Sequence, residues 1–121
     1  MHIDATFQPL ATGKLLINPE RVVKVPDMFE KSGWDVLVCP EPEMPFSHPM
    51  YNCSRWIMMN MLVLDEKRVI ACREEKGLLR ALKGWGFEPI PCNFYDFETI
   101  GGGFHCASLD IRRRGTLQSY F

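Results

Sequence analysis

Short apolar runs, each bounded by glycine, proline, asparagine or aspartate, recur along the chain. Runs of this length and composition are typical of β-strands. The pattern predicts six strands, at residues 3–7, 15–18, 35–39, 57–64, 68–72 and 88–92. Apolar residues at helical spacing, followed by a glycine, predict helices at residues 27–32, with Asp27 as the N-terminal cap, and at residues 74–85. The chain is therefore expected to be an α/β protein.

The same order of elements occurs twice. A shift of 53 positions lays Cys39 over Cys92 and residues 29–35 over residues 82–88 without a gap. Self-similarity at a fixed period is the signature of repeated structural units, although chance similarity is the alternative. We expect two strand-strand-helix-strand units, at residues 1–53 and 54–106, with a hairpin turn at 64–67. One further strand at 107–113 and a tail to residue 121 would follow.

Composition narrows the class of protein. The chain has 121 residues, 46% of them apolar and 24% charged, which fits one globular domain. Fourteen Lys plus Arg stand against fifteen Asp plus Glu, so a nucleic-acid partner is not expected. No apolar run approaches the roughly 20 residues of a membrane span, and the first residues lack the pattern of a signal peptide. The sequence predicts a soluble, cytoplasmic protein with no membrane partner.

The five cysteines are an odd number without a secretion signal, which favours reduced thiols over disulfides. The nearest approach to a metal motif is the adjacent pair His105 and Cys106, whose side chains would leave a strand on opposite faces. We therefore expect no structural metal and no cofactor. The proline-rich stretch at residues 40–49 is either a linker between the units or a binding loop.

Two short motifs are candidates for chemistry. Cys106 follows shortly after three glycines at residues 101–103, and such a loop lets a ligand approach the main chain and a thiol. The alternative is a glycine turn before a buried cysteine that only packs. His2 and Asp4 would share one face of a strand, where a carboxylate can orient a general base. The alternative there is a surface histidine in a frayed terminus.

Four segments together resemble the amidinotransferases. They read MHIDATF at residues 1–7, NPER at 18–21, MNMLVLDEKRV at 59–69, and GGGFHC at 101–106 continued by DIRRRGTLQSY at 110–120. They occur in the family's order and at matching separations, as in the C-terminal portion of glycine amidinotransferase and inosamine-phosphate amidinotransferase. The wider superfamily contains arginine deiminase and dimethylarginine hydrolase.

The resemblance implies a fold and a reaction. The fold is a five-bladed α/β propeller of the pentein kind, built from strand-strand-helix-strand units. The reaction transfers an amidino group from arginine, or another guanidino compound, to an amine acceptor through a cysteine thiouronium intermediate. Carried over residue by residue, Cys106 would be the nucleophile and His2 the general acid and base.

The resemblance also implies the substrate contacts. Asp4 would bind the guanidinium group and Arg21 the substrate carboxylate. Cys53 and Ser54 would lie along the substrate, at a place where relatives carry two serines. Members of the family are longer, and their first three blades supply another acidic residue that holds the guanidinium group and orients the histidine.

Two functional hypotheses stay open. The first is a catalytic amidinotransferase fragment that is competent only when oligomerisation or a partner chain completes it. The second is a non-catalytic truncated remnant that binds arginine-like ligands or associates with itself. Because two blades expose lateral faces and an unpaired strand at 107–113, we expect a homo-oligomer, with exchange of that strand as one route.

Overall fold

Two three-stranded sheets form the framework of the protein, in a computed structural model that describes residues 3–44, 52–116 and 119–121. The first sheet consists of β1 (Phe7–Ala11), β2 (Lys14–Ile17) and β3 (Asp35–Val38). The second consists of β4 (Leu62–Val63), β5 (Arg68–Cys72) and β6 (Glu88–Cys92). In each sheet the first two strands pair antiparallel and the last two pair parallel. The α/β class is confirmed.

A helix connects the two parallel strands of each sheet. These are α1 (Asp27–Lys31) and α2 (Lys76–Gly84), and a third helix, α3 (Tyr95–Glu98), follows β6. Asp35 and Glu88, the first residues of β3 and β6, are 53 positions apart, which is the period of the sequence repeat. The strand-strand-helix-strand order is therefore the same in both halves. The boundaries of a duplication, at residues 1–53 and 54–106, stay a prediction.

Helices α1 and α2 both end before a glycine with positive φ, Gly33 and Gly86, but they differ in burial and at the N-terminus. In α2, Leu78, Leu79 and Leu82 are buried at helical spacing, and Gly86 follows the helix with a φ of 89°, which ends it. The predicted capping role of Asp27 in α1 is wrong, because Pro26 occupies the cap position. Asp27 instead lies in the first turn, where a carboxylate interacts favourably with the helix dipole.

The sheets share one apolar core. It combines Leu10, Leu16 and Cys39 of the first unit with a larger set from the second, which comprises Trp56, Met58, Met59, Met61, Val69, Ala71, Leu78, Leu79, Leu82 and Phe87. Burial of a large apolar side chain contributes about 1.5–3 kcal/mol to folding. The second unit therefore supplies most of the apolar stabilisation.

The predicted strands at residues 3–7 and 57–64 are wrong over part of their length. Ile3–Ala5 and Arg55–Met59 are 3₁₀-helices, and strands begin only at Phe7 and Leu62. In the second case the Ser54 hydroxyl accepts a hydrogen bond from Trp56 N at 3.2 Å, which competes locally with extended backbone. Asp4 consequently lies on a 3₁₀-helix and not on a strand, and its predicted partner His2 lies outside the described residues.

Residues 107–113, which the structure describes, form no strand, so that prediction is also wrong. Ala107 N donates to Gly103 O at 3.1 Å, and Ser108 N donates to His105 O at 3.0 Å, so the segment opens with a turn. Farther on, the Arg113 side chain donates to Val63 O at 2.9 Å. A side chain therefore occupies this carbonyl of β4, which backbone pairing with a neighbouring strand would otherwise use.

Three further expectations concern disulfides, membrane-spanning helices and metal sites. No disulfide links the five cysteines, all of which lie in the described part of the chain. In the described part of the chain, no helix has the length and apolar character needed to cross a membrane. A group of three or more His, Cys, Asp or Glu side chains able to hold a metal ion is also not found there.

Candidate active site

One cavity of about 270 Å³ brings together five of the six predicted site residues. Those five are Asp4, Arg21, Cys53, Ser54 and Cys106. They come from the 3₁₀-helix at the start of the first unit, the loop after β2, the segment before the second 3₁₀-helix and the loop after α3. The sixth, His2, lies outside the described residues.

Arg21 lines this cavity, and hydrogen bonds fix its guanidinium group. Its Nη2 donates to Ser54 Oγ at 2.8 Å and its Nη1 donates to Ala5 O at 3.3 Å. The loop that carries it is anchored by the fully buried Asn18, whose Nδ2 donates to Ala5 O at 3.0 Å and whose Oδ1 accepts from Glu20 N at 2.9 Å. The guanidinium group is therefore positioned by both units of the fold.

Ser54 joins the two units at this point. Its hydroxyl accepts the hydrogen bond from Arg21 and also caps the second 3₁₀-helix through Trp56 N. The Trp56 indole in turn donates to Glu20 Oε2 at 2.6 Å, next to Arg21 in the chain. Because these bonds cross between units, the position of Arg21 depends on the packing of one unit against the other.

Asn60 is the site residue that the sequence reasoning missed. Its side chain is buried, with the residue only 2% exposed, and its Oδ1 accepts from Gly103 N at 2.9 Å and from Cys106 N at 3.0 Å. Its Nδ2 donates to Asp4 Oδ2 at 2.5 Å. The only signal in the sequence was a polar residue inside the apolar run MNML. That run lies within the strand predicted at residues 57–64, so Asn60 was assigned to the strand and not to the site.

The loop after α3 needs glycine where it passes Asn60. A Cβ at Gly103 would lie 2.7 Å from Asn60 O and 2.8 Å from Asn60 Cβ, closer than real Cβ contacts permit. Gly101 has a φ of 96°, in the region that favours glycine. Phe104 stacks on Phe94 with ring centroids 4.4 Å apart, which ties the loop to the start of α3. At Gly103 the close approach is that of Asn60, and the predicted approach of a ligand to this loop stays a prediction.

The alternative interpretation of Cys106 as a buried packing residue is wrong, because Cys106 is exposed. Cys39 and Cys72, in contrast, are buried. Burial, with a smaller contribution from Glu75, raises the pKa of the Cys39 thiol to about 12, and burial also raises the pKa of Cys72. Since the thiolate is the nucleophilic form, Cys106 is better placed for nucleophilic chemistry than Cys39 or Cys72.

Asp4 is held by two donors on the same oxygen. Asn60 Nδ2 and His105 Nδ1 lie 2.5 Å and 3.0 Å from Asp4 Oδ2. No hydrogen bond from the described part of the chain falls on Asp4 Oδ1. The sequence pattern predicts that His2 is the partner of Asp4. It offers His105 only as an unsuitable metal ligand beside Cys106. Among the described residues, the imidazole that contacts Asp4 is His105, next to Cys106 in the chain.

Comparison with known proteins finds amidinotransferases. No protein-family model matches the sequence. An L-arginine:L-lysine amidinotransferase from Pseudomonas savastanoi pv. phaseolicola is 59% identical over 120 residues, which is 99% of this chain and 33% of that protein. The mitochondrial glycine amidinotransferase of Danio rerio is 44% identical over 121 residues, which is 100% of this chain and 29% of that protein. Over almost its whole length the chain is therefore similar to one part of known amidinotransferases.

Solved amidinotransferases share its fold. SxtG, an amidinotransferase of the saxitoxin biosynthetic pathway from Microseira wollei, matches with a TM-score of 0.93 and 48% identity over 100% of this chain and 34% of that one. Inosamine-phosphate amidinotransferase StrB1 from Streptomyces griseus matches with a TM-score of 0.89 and 38% identity over 99% of this chain and 35% of that one. The chain thus spans about a third of the length of these amidinotransferases.

Proposed function

We propose that the chain forms part of an amidinotransferase active site and that its substrate is arginine or another guanidino compound. The observation that carries this proposal is the single cavity lined by Asp4, Arg21 and Cys106. It places an anion, a cation and a thiol around one space of about 270 Å³. The relatives named above are amidinotransferases, which supports the same chemistry.

Charge complementarity gives the orientation of the substrate. Arginine carries a guanidinium cation at one end and a carboxylate at the other, and the cavity offers the opposite charges at Asp4 and Arg21. Because the hydrogen bonds from Asn60 and His105 both fall on Asp4 Oδ2, Oδ1 is the oxygen that would accept from the guanidinium group. Arg21 would bind the α-carboxylate, with Ser54 beside it and Cys53 along the substrate.

The proposed reaction transfers the amidino group in two steps, first to Cys106 and then to the amine acceptor. In the first, Cys106 Sγ as a thiolate attacks the guanidinium carbon, the bond from that carbon to Nε breaks, and Nε takes a proton as ornithine leaves. The amidino group stays on sulfur as a thiouronium. In the second, an amine acceptor attacks the same carbon and loses a proton, and the carbon-sulfur bond breaks to restore the thiolate. His2 would carry these protons as general acid and base.

An experiment with labelled arginine tests this proposal. The full chain is incubated with arginine labelled at the guanidino carbon, quenched in acid and digested, and the peptides are analysed by mass spectrometry. We expect the label on Cys106, no label in Cys106→Ala, and unchanged labelling in the matched variant Cys92→Ala, because Cys92 lies in β6 and does not line the cavity. Arginine labelled at the carboxyl carbon should leave nothing on the protein.

Two other results would speak against amidino transfer. Saturable binding of arginine without label on Cys106 would indicate a guanidino-binding module, the second hypothesis. If the chain alone shows no binding of arginine and no label on Cys106, that result would contradict both hypotheses for the chain alone. Repeating the incubation with purified complementary segments of a full-length relative would then test whether a partner chain completes the site.

The architecture of the assembly is also a proposal. We propose that the two sheets are two blades of a five-bladed propeller and that further copies, or a partner chain, complete it. Supporting this, the apolar side chains of Leu109 and Ile111 are 86% and 93% exposed. Exposed apolar side chains favour association.

Sedimentation equilibrium tests the association. At micromolar concentration we expect a mass that is a multiple of 14.0 kDa, and removal of the residues after Cys106 should weaken the assembly. The double variant Leu109→Ser, Ile111→Ser should have the same effect while leaving the rest of the chain intact. A 14.0 kDa monomer across that range would contradict the proposal.

A further inference from the structure

We infer that Asn60 is a positioning residue that holds the backbone of Cys106 and the carboxylate of Asp4 in a fixed relation to each other. Its catalytic meaning rests on the proposed function, but its structural effect can be measured without any substrate. Asn60 is the one side chain in the described residues that hydrogen-bonds both to the loop of the thiol and to the carboxylate that would bind guanidinium.

The acceptor end of Asn60 organises the loop. A carboxamide oxygen has two lone pairs, and here both are used, by Gly103 N at 2.9 Å and Cys106 N at 3.0 Å. The two amides belong to residues three positions apart, so one oxygen closes the loop into a turn that ends at the thiol. A third bond, from His105 N to the Asn60 carbonyl at 3.2 Å, holds the same turn from the backbone.

The donor end of Asn60 holds Asp4. Its Nδ2 lies 2.5 Å from Asp4 Oδ2, and this contact joins residues 56 positions apart in the chain. His105 Nδ1 shares that oxygen at 3.0 Å, so the turn carrying Cys106 also touches Asp4 directly. One oxygen of the carboxylate is therefore fixed from two sides.

Asn60 is held in place by the apolar core on either side of it in the chain. Asn60 is flanked in the chain by Met59 and Met61, both fully buried in the shared core, and its own N–H donates to Ile57 O at 2.8 Å. A Cβ at Gly103 would clash with it, so backbone and side chain are packed directly on the loop. Movement of Asn60 would require movement of the core.

The chemistry of the carboxamide explains why this position needs asparagine. Aspartate keeps the acceptor but replaces the donor with a second carboxylate beside Asp4, which is repulsive. Leucine keeps the volume but removes donor and acceptor, leaving two amides and a carboxylate without these partners. Attack of a thiolate on a guanidinium carbon depends on placement, and a displacement of about 1 Å can cost about a hundredfold in rate.

Hydrogen exchange of individual amides is the first test, and it uses Asn60→Leu and Asn60→Asp. In Asn60→Leu we expect the Gly103 and Cys106 amides to exchange at least about tenfold faster than in the wild type, which corresponds to one lost hydrogen bond. In Asn60→Asp these two amides should keep most of their protection, because an acceptor oxygen remains. Uniformly faster exchange at all amides in both variants, or no change at these two, would overturn the inference.

Alkylation of Cys106 is the second test, and it separates the two ends of the carboxamide. In Asn60→Asp the added negative charge should displace the pH profile of the iodoacetamide rate to higher pH, and a displacement of one pH unit lowers the rate near neutrality about tenfold. Cys92 in the same sample should be unaffected. The matched control is Asn93→Asp, which adds the same charge at an amide that does not line the cavity and caps only the first turn of α3, and it should leave the Cys106 profile in place. An unchanged Cys106 profile in Asn60→Asp would overturn the role of the donor end.

These readouts are independent of amidino transfer. If the wild-type chain acquires no label from arginine, either alone or with the complementary segments of a full-length relative, the proposed function fails while the exchange and alkylation results still decide the role of Asn60. If the wild type is labelled, we expect slower labelling of Cys106 in both Asn60 variants at saturating arginine, with a larger change in the labelling rate than in the arginine concentration needed for half saturation. An unchanged labelling rate would show that the positioning has no catalytic consequence.

Discussion

The two units have the same strand order but hold their helices in different ways. The helix of the first unit, α1, has five described residues, none of them buried, whereas α2 in the second unit has nine residues and buries three leucines. The ring of Phe29, on α1, makes edge contacts with Trp34 at 5.3 Å and Phe121 at 5.4 Å. The comparison teaches that one topology can be stabilised by a core-facing helix or by an aromatic cluster at the surface.

This difference extends to the cavity. The second unit supplies Asn60, which is surrounded by core residues and anchors the Cys106 loop. The first unit supplies the charged groups, Asp4 and Arg21, from a 3₁₀-helix and a loop. We therefore expect perturbations of the second unit to affect the whole fold, and perturbations of the first to act more locally.

The largest expected effect comes from truncating a core leucine of α2. Leu82 is fully buried, so Leu82→Ala should lower the free energy of unfolding by about 2–5 kcal/mol through lost burial and a cavity. Met28→Ala, in α1, should change it by less than about 0.5 kcal/mol, because Met28 is 48% exposed. Urea unfolding of both variants measures the contrast. Equal losses would mean that the helices are held alike.

A pH-dependent effect is expected from Glu98, at the end of α3. Burial, and then the charges of Glu75 and Glu74, raise its pKa to about 7 in the folded protein, above the value of 4.5 for an exposed glutamate. Between those values the folded state keeps a proton that the unfolded state releases, so the free energy of unfolding falls as pH rises, by at most about 3 kcal/mol.

The variant Glu98→Gln isolates this contribution. It should show a flatter dependence of urea stability on pH between 4.5 and 7 than the wild type, with the advantage of the variant greatest above pH 7. Glu75, whose pKa burial also raises, contributes a slope of the same sign that remains in the variant. Parallel pH profiles for variant and wild type would contradict the assignment to Glu98.

A smaller loss is expected where the loop of Cys106 passes the second unit. Gly103→Ala forces a Cβ to within 2.7 Å of Asn60 O, so we expect destabilisation of roughly 1–3 kcal/mol and faster exchange of the Cys106 amide. The matched variant is Gly115→Ala, where a Cβ meets no atom of the described residues within 4 Å. It should be within about 0.5 kcal/mol of the wild type. Similar stabilities for the two variants would argue against close packing at Gly103.

The smallest effect is expected in the aromatic cluster of the first unit. Trp34 Nε1 donates to Tyr120 O at 3.0 Å, and the Trp34 ring stacks on Phe121 at 5.7 Å. Trp34→Phe keeps an aromatic ring but loses the donor, which should cost about 0.5–1.5 kcal/mol. Trp34→Ala should cost more, because the ring contacts with Phe29 and Phe121 are lost as well. Thermal unfolding of the pair measures the difference, and equal melting temperatures would remove any role for the cluster.

Elements that depend on local pattern could be predicted from the sequence. Strands at residues 68–72 and 88–92 were predicted at their observed bounds, and α1 and α2 within two residues at each end, because apolar spacing and glycine positions are local signals. The short helix α3 was not predicted. The repeat indicated two units of the same strand order. The resemblance indicated five residues that the structure brings to one cavity, although their roles and that of His2 stay predictions.

The other features depend on contacts between segments that are distant in the chain. The 3₁₀-helices at Ile3–Ala5 and Arg55–Met59 lie in apolar runs that periodicity alone assigns to strands, and residues 107–113 would need a neighbouring strand that the observed packing does not provide. Asn60 was missed because its function depends on partners at positions 4, 103 and 106, up to 56 residues away in sequence. Pattern in a sequence reports the burial of a residue, but the hydrogen-bond partners of a buried amide are set by which distant segments the fold brings against it.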